Sequence, residues 1–128
     1  MNLLLIDDDD DDVLFFSDAL QEIYPAAILH RFASAEEALR QMEQAKTSDP
    51  DLIFIDINMP AINGWECLRQ IKKMAGWQKI PIVMYSSASL QNSGVAPADV
   101  GATAFYQKSD SFDELKDRLK QVITSTLG

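Results

Sequence analysis

Short apolar runs alternate with segments of helical periodicity along the chain. Five of these runs are candidate β-strands: NLLLI (2–6), AAILHRF (26–32), DLIFID (51–56), KIPIVMY (79–85) and TAFYQ (103–107). The third run is apolar at almost every position, which is typical of a parallel strand that is covered on both faces. The pattern therefore predicts five strands.

The segments between the runs carry apolar residues at helical spacing. Val13, Phe16, Leu20 and Ile23 fall at i, i+3, i+7 and i+10, which predicts a first helix that ends before a proline. A further helix is predicted over 65–75, with its leucine and isoleucine facing inward.

Two more helix starts are marked by a serine followed three residues later by a glutamate, at 34–37 and 111–114. In such a capping box each side chain accepts a hydrogen bond from a free backbone N–H group of the other residue. The weakest helix prediction is LQNSGVAPADVGA (90–102), which contains Gly94 and Pro97. An interior proline costs about 3 kcal/mol relative to alanine. We expect this helix to be short, interrupted or started at Pro97.

The alternation of strands and helices indicates a fold of the α/β class. Successive parallel strands joined by helices form right-handed βαβ units, which place a parallel sheet between two layers of helices. The 128 residues are enough for one domain with a complete core. We therefore expect a three-layer sandwich in which residues 1–128 form a single domain with no further domain attached.

Composition narrows the range of partners. The net charge is −9, which argues against a nucleic-acid surface and permits divalent cations and basic partners. The apolar run at the N-terminus is too short for a signal peptide or a membrane span. A single cysteine and a single histidine exclude zinc sites built from those ligands. These features are consistent with a cytoplasmic protein that has no membrane segment.

Polar residues follow four of the predicted strands at the end where a ligand site is expected. In an open α/β sheet the ligand lies outside the carboxyl ends of the strands. The residues at those ends are Asp7, Asp8, Asp9, Asp56, Asn58, Ser86 and Lys108. Carboxylates at this density repel one another unless a cation neutralises them, and oxygen ligands suit Mg²⁺. A lysine and a hydroxyl group facing them suit a phosphate, so this set of residues predicts phosphoryl transfer.

Five short motifs in this order and spacing resemble the receiver domain of two-component response regulators. They are LLLIDDD at the first strand, IDINMP at the third, Gly64 eight residues beyond Asp56, YSS at the fourth strand and YQKS at the fifth. The likeness covers essentially the whole chain and is to stand-alone receivers of the chemotaxis-regulator kind. It implies a flavodoxin-like (βα)5 fold with a five-stranded parallel sheet in the order 2-1-3-4-5.

The resemblance implies a phosphoryl acceptor and a metal site. Asp56 matches the residue that receives a phosphoryl group from a histidine kinase or a phosphotransfer protein. Asp7 and Asp8 match the acidic pair that binds Mg²⁺ together with Asp56 and the backbone carbonyl of Asn58. Asp8 and Asp9 would also satisfy the chemistry, and the register of the first strand favours Asp7 and Asp8.

The resemblance also implies a phosphate-binding pair and a switch. Ser86 matches the hydroxyl group that binds the phosphoryl group, Lys108 the lysine that contacts it, and Phe105 the aromatic residue that changes rotamer on activation. A downstream protein is expected to bind the face made by segment 90–102, the fifth strand and the last helix. The implied protein is a monomer or weak dimer that turns over no external substrate.

Three features depart from the family pattern or leave alternatives open. Ser109 follows the lysine where most members have proline, usually after a cis peptide bond, so either the bond is trans or strain is tolerated there. Ala88 matches a position that, with that of Asn58, borders the path of the attacking water in the family, which leaves the dephosphorylation rate open. A phosphorylation-independent pseudo-receiver, used as a constitutive interaction module, is the alternative hypothesis, which Ser109 and the pair Gly94 and Pro97 favour. A phosphohydrolase is disfavoured, because Asn58 stands where that pattern has an acid.

Overall fold

A five-stranded parallel sheet organises the computed structural model, which describes residues 1–44, 49–87 and 101–127. The strands are β1 (Asn2–Ile6), β2 (Ile28–Phe32), β3 (Leu52–Asp56), β4 (Ile82–Ser86) and β5 (Ala104–Gln107). All neighbouring pairs are parallel and the order is β2-β1-β3-β4-β5. The predicted fold class and strand order are confirmed.

Four helices lie within the described ranges. They are α1 (Asp10–Ile23), α2 (Ala35–Glu43), α3 (Gly64–Lys73) and α4 (Phe112–Leu127). The helix predicted over 90–102 lies outside the described residues except for its last two positions, as do Ala88, Gly94 and Pro97. None of the helices in the described ranges is long and apolar enough to cross a membrane.

Four strands begin later than the apolar runs predict, β3 and β5 by one residue, β2 by two and β4 by three. In β2 and β4, turn hydrogen bonds take the first residues of the run. The N–H group of Ala27 donates to the carbonyl of Tyr24 at 3.0 Å, so β2 starts at the next residue. The N–H group of Ile80 donates to the carbonyl of Trp77 at 3.3 Å, and β4 begins only after the proline that follows. An apolar run therefore locates each strand, and the turn before it decides the first residue.

The helix starts follow the capping residues of the sequence. The hydroxyl of Ser34 accepts the N–H group of Glu37 at 3.1 Å, and the hydroxyl of Ser111 accepts that of Glu114 at 3.2 Å. The serine half of both predicted capping boxes is present. Helix α1 is capped in the same way by Asp9, one of the six consecutive aspartates.

The core lies in two layers, one on each face of the sheet. Along β1, Leu4 and Ile6 belong to the cluster that packs under α2 and α3, while Leu3 and Leu5 belong to the cluster under α1 and α4. These four side chains are at most 1% exposed. Burial on both faces explains why the central strands are continuously apolar, because neither face of the pleat meets water.

The register brings the carboxyl ends of the strands to one edge. Ile6 pairs with Phe32 on one side and Ile55 on the other, while Asp56 pairs with Tyr85. The residues that follow each strand therefore share one rim of the sheet, which is where the polar residues of the sequence are concentrated.

Candidate functional site

Three carboxylates meet at the rim of the sheet. One oxygen each of Asp7, Asp8 and Asp56 lies within 4.8 Å of the other two. Asp7 is fully buried and Asp56 is 2% exposed, whereas Asp8 faces solvent. Side chains of like charge at this separation need a cation, and three carboxylate oxygens suit a hard ion such as Mg²⁺. The donor set therefore fits the metal that the sequence predicts.

Asp7 is held by hydrogen bonds to both of its oxygens. Oδ2 accepts the hydroxyl of Tyr85 at 2.5 Å, and Oδ1 accepts the backbone N–H of Asp9 at 2.9 Å. Burial raises the pKa of Asp7 from 3.8 to about 6, although the bonds from Tyr85 and Asp9 and the charge of Lys108 act in the opposite direction. The carboxyl group is fixed in place and is costly to ionise without a cation.

Asp9, the alternative metal ligand, has a different position. Its Oδ1 accepts the backbone N–H groups of Asp11 at 2.9 Å and Asp12 at 3.2 Å, which makes it the N-cap of α1. Within the described residues, the carboxylates close enough to share a cation are those of Asp7, Asp8 and Asp56.

Asp56 is presented at the end of β3 by a tight loop. Its Oδ1 accepts the backbone N–H of Asn58 at 3.0 Å. The N–H of Gly64 donates to the carbonyl of Ile57 at 3.0 Å, which brings the start of α3 against this loop. A methyl group added at Gly64 would lie 2.5 Å from the carbonyl oxygen of Asp56. The glycine eight residues beyond Asp56 is thus required by the close approach of two backbone segments.

Lys108 faces several carboxylates at once. Its Nζ lies 2.6 Å from Asp12, 3.3 Å from Asp56 and 3.7 Å from Asp7. It also lies 5.0 Å from the centre of the Tyr85 ring. Burial alone would lower the pKa of Lys108, but the hydrogen bond to Asp12 and the negative charges of all three aspartates raise it above the ordinary value.

Ser86 is buried at the end of β4 and joins two parts of the site. Its hydroxyl accepts the side-chain N–H of Asn58 at 2.6 Å, and its carbonyl accepts the backbone N–H of Lys108 at 2.7 Å. The first bond links the loop after β3 to the end of β4. The second fixes the backbone from which the lysine side chain extends.

An open cavity of about 530 Å³ lies above these groups. Its lining residues are Asp8, Asp9, Asp12, Asp56, Asn58, Ser87, Lys108, Ser109 and Asp110. The cavity gives solvent, a hydrated ion or a phosphate access to the carboxylate of Asp56.

The remaining predicted site residue, Phe105, lies apart from the carboxylates. It is partly buried and packs against the core cluster under α2 and α3. Its neighbour Tyr106 points to the opposite face, where its ring is parallel to that of Tyr85 with 5.3 Å between the centroids.

Ser109 sits in a loop closed by its own side chain. The described residues contain no cis peptide bond, so the bond between Lys108 and Ser109 is trans. The hydroxyl of Ser109 donates to the carboxylate of Glu114 and accepts the N–H of Ser111 at 3.0 Å. These bonds tie the loop after β5 to the first turn of α4.

Sequence reasoning missed two residues of the site. The sequence places Tyr85 in the fourth predicted strand without a role in the chemistry, and it gives Asp12 no role. In the structure Tyr85 donates to Asp7, and Asp12 forms the shortest ion pair of Lys108. A hydroxyl-bearing aromatic residue directly before Ser86 was the one sequence feature that pointed to Tyr85.

Comparisons with known proteins agree with this architecture. The chain is 31% identical over 90 residues to the KDP operon transcriptional regulatory protein KdpE of Escherichia coli, an alignment covering 70% of this chain and 39% of KdpE. It is 30% identical over 84 residues to protein-glutamate methylesterase/protein-glutamine glutaminase 1 of Methanosarcina acetivorans, covering 64% of this chain and 23% of that protein. The chain therefore spans less than half the length of these curated relatives.

Two solved structures extend the likeness over nearly the whole chain. The phosphorylated cyanobacterial phytochrome response regulator RcpA superposes with a TM-score of 0.84 at 27% identity, covering 99% of this chain and 94% of RcpA. The response regulator TrrA of Thermotoga maritima, in complex with Mg²⁺ and BeF, superposes with a TM-score of 0.74 at 27% identity, covering 94% and 97%. The family model described as the response regulator receiver domain matches residues 3–120. The chain belongs to the response regulator receiver domain family, with the fold and the acidic rim typical of two-component signalling receivers.

Proposed function

We propose that the protein accepts a phosphoryl group on Asp56 in a Mg²⁺-dependent reaction and thereby switches a protein-binding surface. The observation that carries this proposal is the meeting of the Asp7, Asp8 and Asp56 carboxylates within 4.8 Å, with the ammonium group of Lys108 3.3 Å from Asp56. An acceptor carboxylate, a cation site and a fixed positive charge are the parts that phosphoryl transfer requires.

The metal would be held by oxygen atoms alone. Asp7, Asp8 and Asp56 supply carboxylates, and Asn58 supplies its backbone carbonyl. When bound, Mg²⁺ would offset the carboxylate charge and the charge on the phosphoryl oxygens. The Mg²⁺ and BeF complex of TrrA and the phosphorylated state of RcpA support this assignment by likeness.

The chain's own residues would perform the transfer. A carboxylate oxygen of Asp56 attacks the phosphorus atom and forms a new O–P bond, while the bond from phosphorus to the donor's leaving group breaks and the leaving group departs with the electron pair. Lys108 and the hydroxyl of Ser86 hold the phosphoryl oxygens. No group of the protein has to be oxidised or reduced.

The donor would be a histidine kinase or a phosphotransfer protein, and the output a downstream protein that binds near β5 and α4. Phe105 would change rotamer when Ser86 engages the phosphoryl group, which alters the surface of that edge. Segment 90–102, the rest of the expected surface, lies mostly outside the described residues. We propose that the protein acts in the cytoplasm as a single receiver domain and as a monomer or weak dimer. It would modify only itself, so it is not an enzyme with an external substrate.

Intact mass spectrometry tests the proposal. The protein is incubated with acetyl phosphate with and without Mg²⁺, alongside Asp56→Asn and a control, Asp18→Asn, that removes an exposed carboxylate of α1. One phosphoryl adduct is expected for the wild type and the control with Mg²⁺, and none for Asp56→Asn. Absence of an adduct, under conditions that label a known receiver, would favour the pseudo-receiver. Turnover of a model phosphate ester would instead indicate a phosphohydrolase.

A further inference from the structure

Lys108 is the one ammonium group described at the rim, and its nearest partner is not the acceptor. Its Nζ lies 2.6 Å from Asp12, against 3.3 Å from Asp56. The Asp12 carboxylate lies within the range of a strong charge-assisted hydrogen bond, and the Asp56 carboxylate lies just beyond it. In this state the lysine is therefore bound mainly to Asp12.

Asp12 is placed on a rigid element. It is the third residue of α1, and its backbone N–H donates to the capping carboxylate of Asp9 at 3.2 Å. The ammonium group of Lys108 also lies over the ring of Tyr85, 5.0 Å from its centre. Asp12 and the aromatic ring thus both hold the lysine in place.

The other aspartates of the same run have different partners. Asp10 forms an ion pair with Arg31 at 2.8 Å. Asp11 is exposed, and its backbone N–H, not its side chain, takes part in the hydrogen bonds of the described residues. Asp12 is therefore distinguished from Asp10 and Asp11 by its contact with the lysine and by its place in the lining of the cavity.

We propose that Asp12 is a positioning residue that holds Lys108 in the unphosphorylated protein and so restrains phosphorylation of Asp56. This inference rests on the proposed function. A phosphoryl group approaching Asp56 needs the positive charge of Lys108. The lysine can contact that group only by weakening its contact with Asp12. Replacing the Asp12 carboxylate by a neutral amide weakens the competing ion pair, so that the lysine is free to bind the incoming phosphoryl group.

The rate of phosphorylation by acetyl phosphate measures this competition. At saturating Mg²⁺ and subsaturating acetyl phosphate, Asp12→Asn is expected to form the adduct about tenfold faster than the wild type, the scale of one charge-assisted hydrogen bond. The control Asp11→Asn changes the net charge equally and is expected to stay within about twofold, because its side chain does not touch the lysine. An unchanged or slower rate in Asp12→Asn would overturn the proposal.

A double-mutant cycle shows whether Asp12 acts through Lys108. In a Lys108→Ala background, the change Asp12→Asn is expected to leave the rate within about twofold, since no lysine remains to be released. A tenfold increase that persists in this background would mean that Asp12 merely repels the anionic donor, which would also overturn the proposal.

The failure of this inference can be distinguished from failure of the proposed function. If the wild type accepts no phosphoryl group while a known receiver does, the proposed function fails and the restraint fails with it. If the wild type is labelled on Asp56 and Asp12→Asn is no faster, only the positioning role of Asp12 is wrong. A readout independent of transfer is the pKa of Lys108 by carbon NMR of its side chain, expected to fall in Asp12→Asn and not in Asp11→Asn.

Discussion

The bond between Tyr85 and Asp7 can be removed almost without changing the packing around it. Replacing Tyr85 by phenylalanine deletes one hydroxyl group and keeps the ring. The ring contacts with Tyr106 and Phe16, at 5.3 Å and 6.5 Å between centroids, remain available. What is lost is the 2.5 Å donation to Oδ2 of Asp7, a carboxyl group that is fully buried.

The cost depends on whether Asp7 carries a charge. A hydrogen bond to a charged group contributes about 1.5–3 kcal/mol and a bond between neutral groups about 0.5–1.5 kcal/mol. Because the pKa of Asp7 is about 6, the carboxyl group is mainly ionised at pH 8 and mainly protonated at pH 5. Tyr85→Phe should therefore lower the free energy of unfolding by about 2 kcal/mol at pH 8 and by about 1 kcal/mol at pH 5.

Urea denaturation at the two pH values, with a chelator present to remove divalent cations, measures this difference. The matched control is Tyr24→Phe, which removes a hydroxyl 3.5 Å from the side chain of Thr124 near the surface and should change the free energy by less than about 0.5 kcal/mol at either pH. An equal loss at pH 5 and pH 8, or no loss at all, would refute the view that the tyrosine supports an ionised Asp7.

Three further predictions each concern one buried residue. Gly64→Ala should destabilise the protein by about 2 kcal/mol in urea, because the added methyl group meets the backbone carbonyl of Asp56 at 2.5 Å. In metal-free protein, the raised pKa of Asp7 means that the folded state binds more protons than the unfolded state between pH 4 and 6. The free energy of unfolding should thus fall by up to about 3 kcal/mol as the pH rises through this window, a fall that Asp7→Asn removes. The buried thiol of Cys67, with its pKa raised to about 12, should not react with a thiol reagent at pH 8 until the protein is unfolded.

The fold was predictable because its main determinant is local. Central strands buried on both faces must be apolar at successive positions, and β1, β3 and β4 are recognisable from that property alone. The starts of α2 and α4 were equally visible, since a capping serine acts within three residues of itself. The largest errors were the first residues of β2 and β4, where turn hydrogen bonds competed with the strand, and the other predicted bounds of strands and of α3 differ by at most two residues.

The carboxylates of the site were predictable for a different reason. Parallel topology brings the ends of all strands to one rim, so the polar residues that follow each strand must be neighbours. This argument placed Asp7, Asp8 and Asp56 together without any knowledge of side-chain direction. The topology could not show by chemistry alone whether Asp7 and Asp8 or Asp8 and Asp9 are the metal ligands. The register of β1 and the use of Asp9 as a helix cap separate them in the structure.

Tyr85 and Asp12 were not predictable because their contacts span the sheet. Tyr85 lies on β4 and reaches Asp7 at the end of β1, although β3 lies between these two strands. The two residues are 78 positions apart in the sequence. Asp12 meets Lys108 across 96 positions. No periodicity or motif encodes which side chain faces which over such separations, so these contacts are determined only when the layers pack.

The run of six aspartates shows how concentrated negative charge is accommodated next to a hydrophobic core. Each carboxylate with an identified contact has a different nearest partner: Tyr85 for Asp7, the first turn of α1 for Asp9, Arg31 for Asp10 and Lys108 for Asp12. Like charges this close repel, and dispersing them over a hydroxyl, backbone amides, a guanidinium and an ammonium group reduces that repulsion without a metal. The compensation of negative charge by protein contacts is least complete at Asp7, since burial still raises its pKa to about 6. The remaining unfavourable charge is concentrated where Asp7, Asp8 and Asp56 converge, which is where binding of a divalent cation would yield the largest gain in free energy.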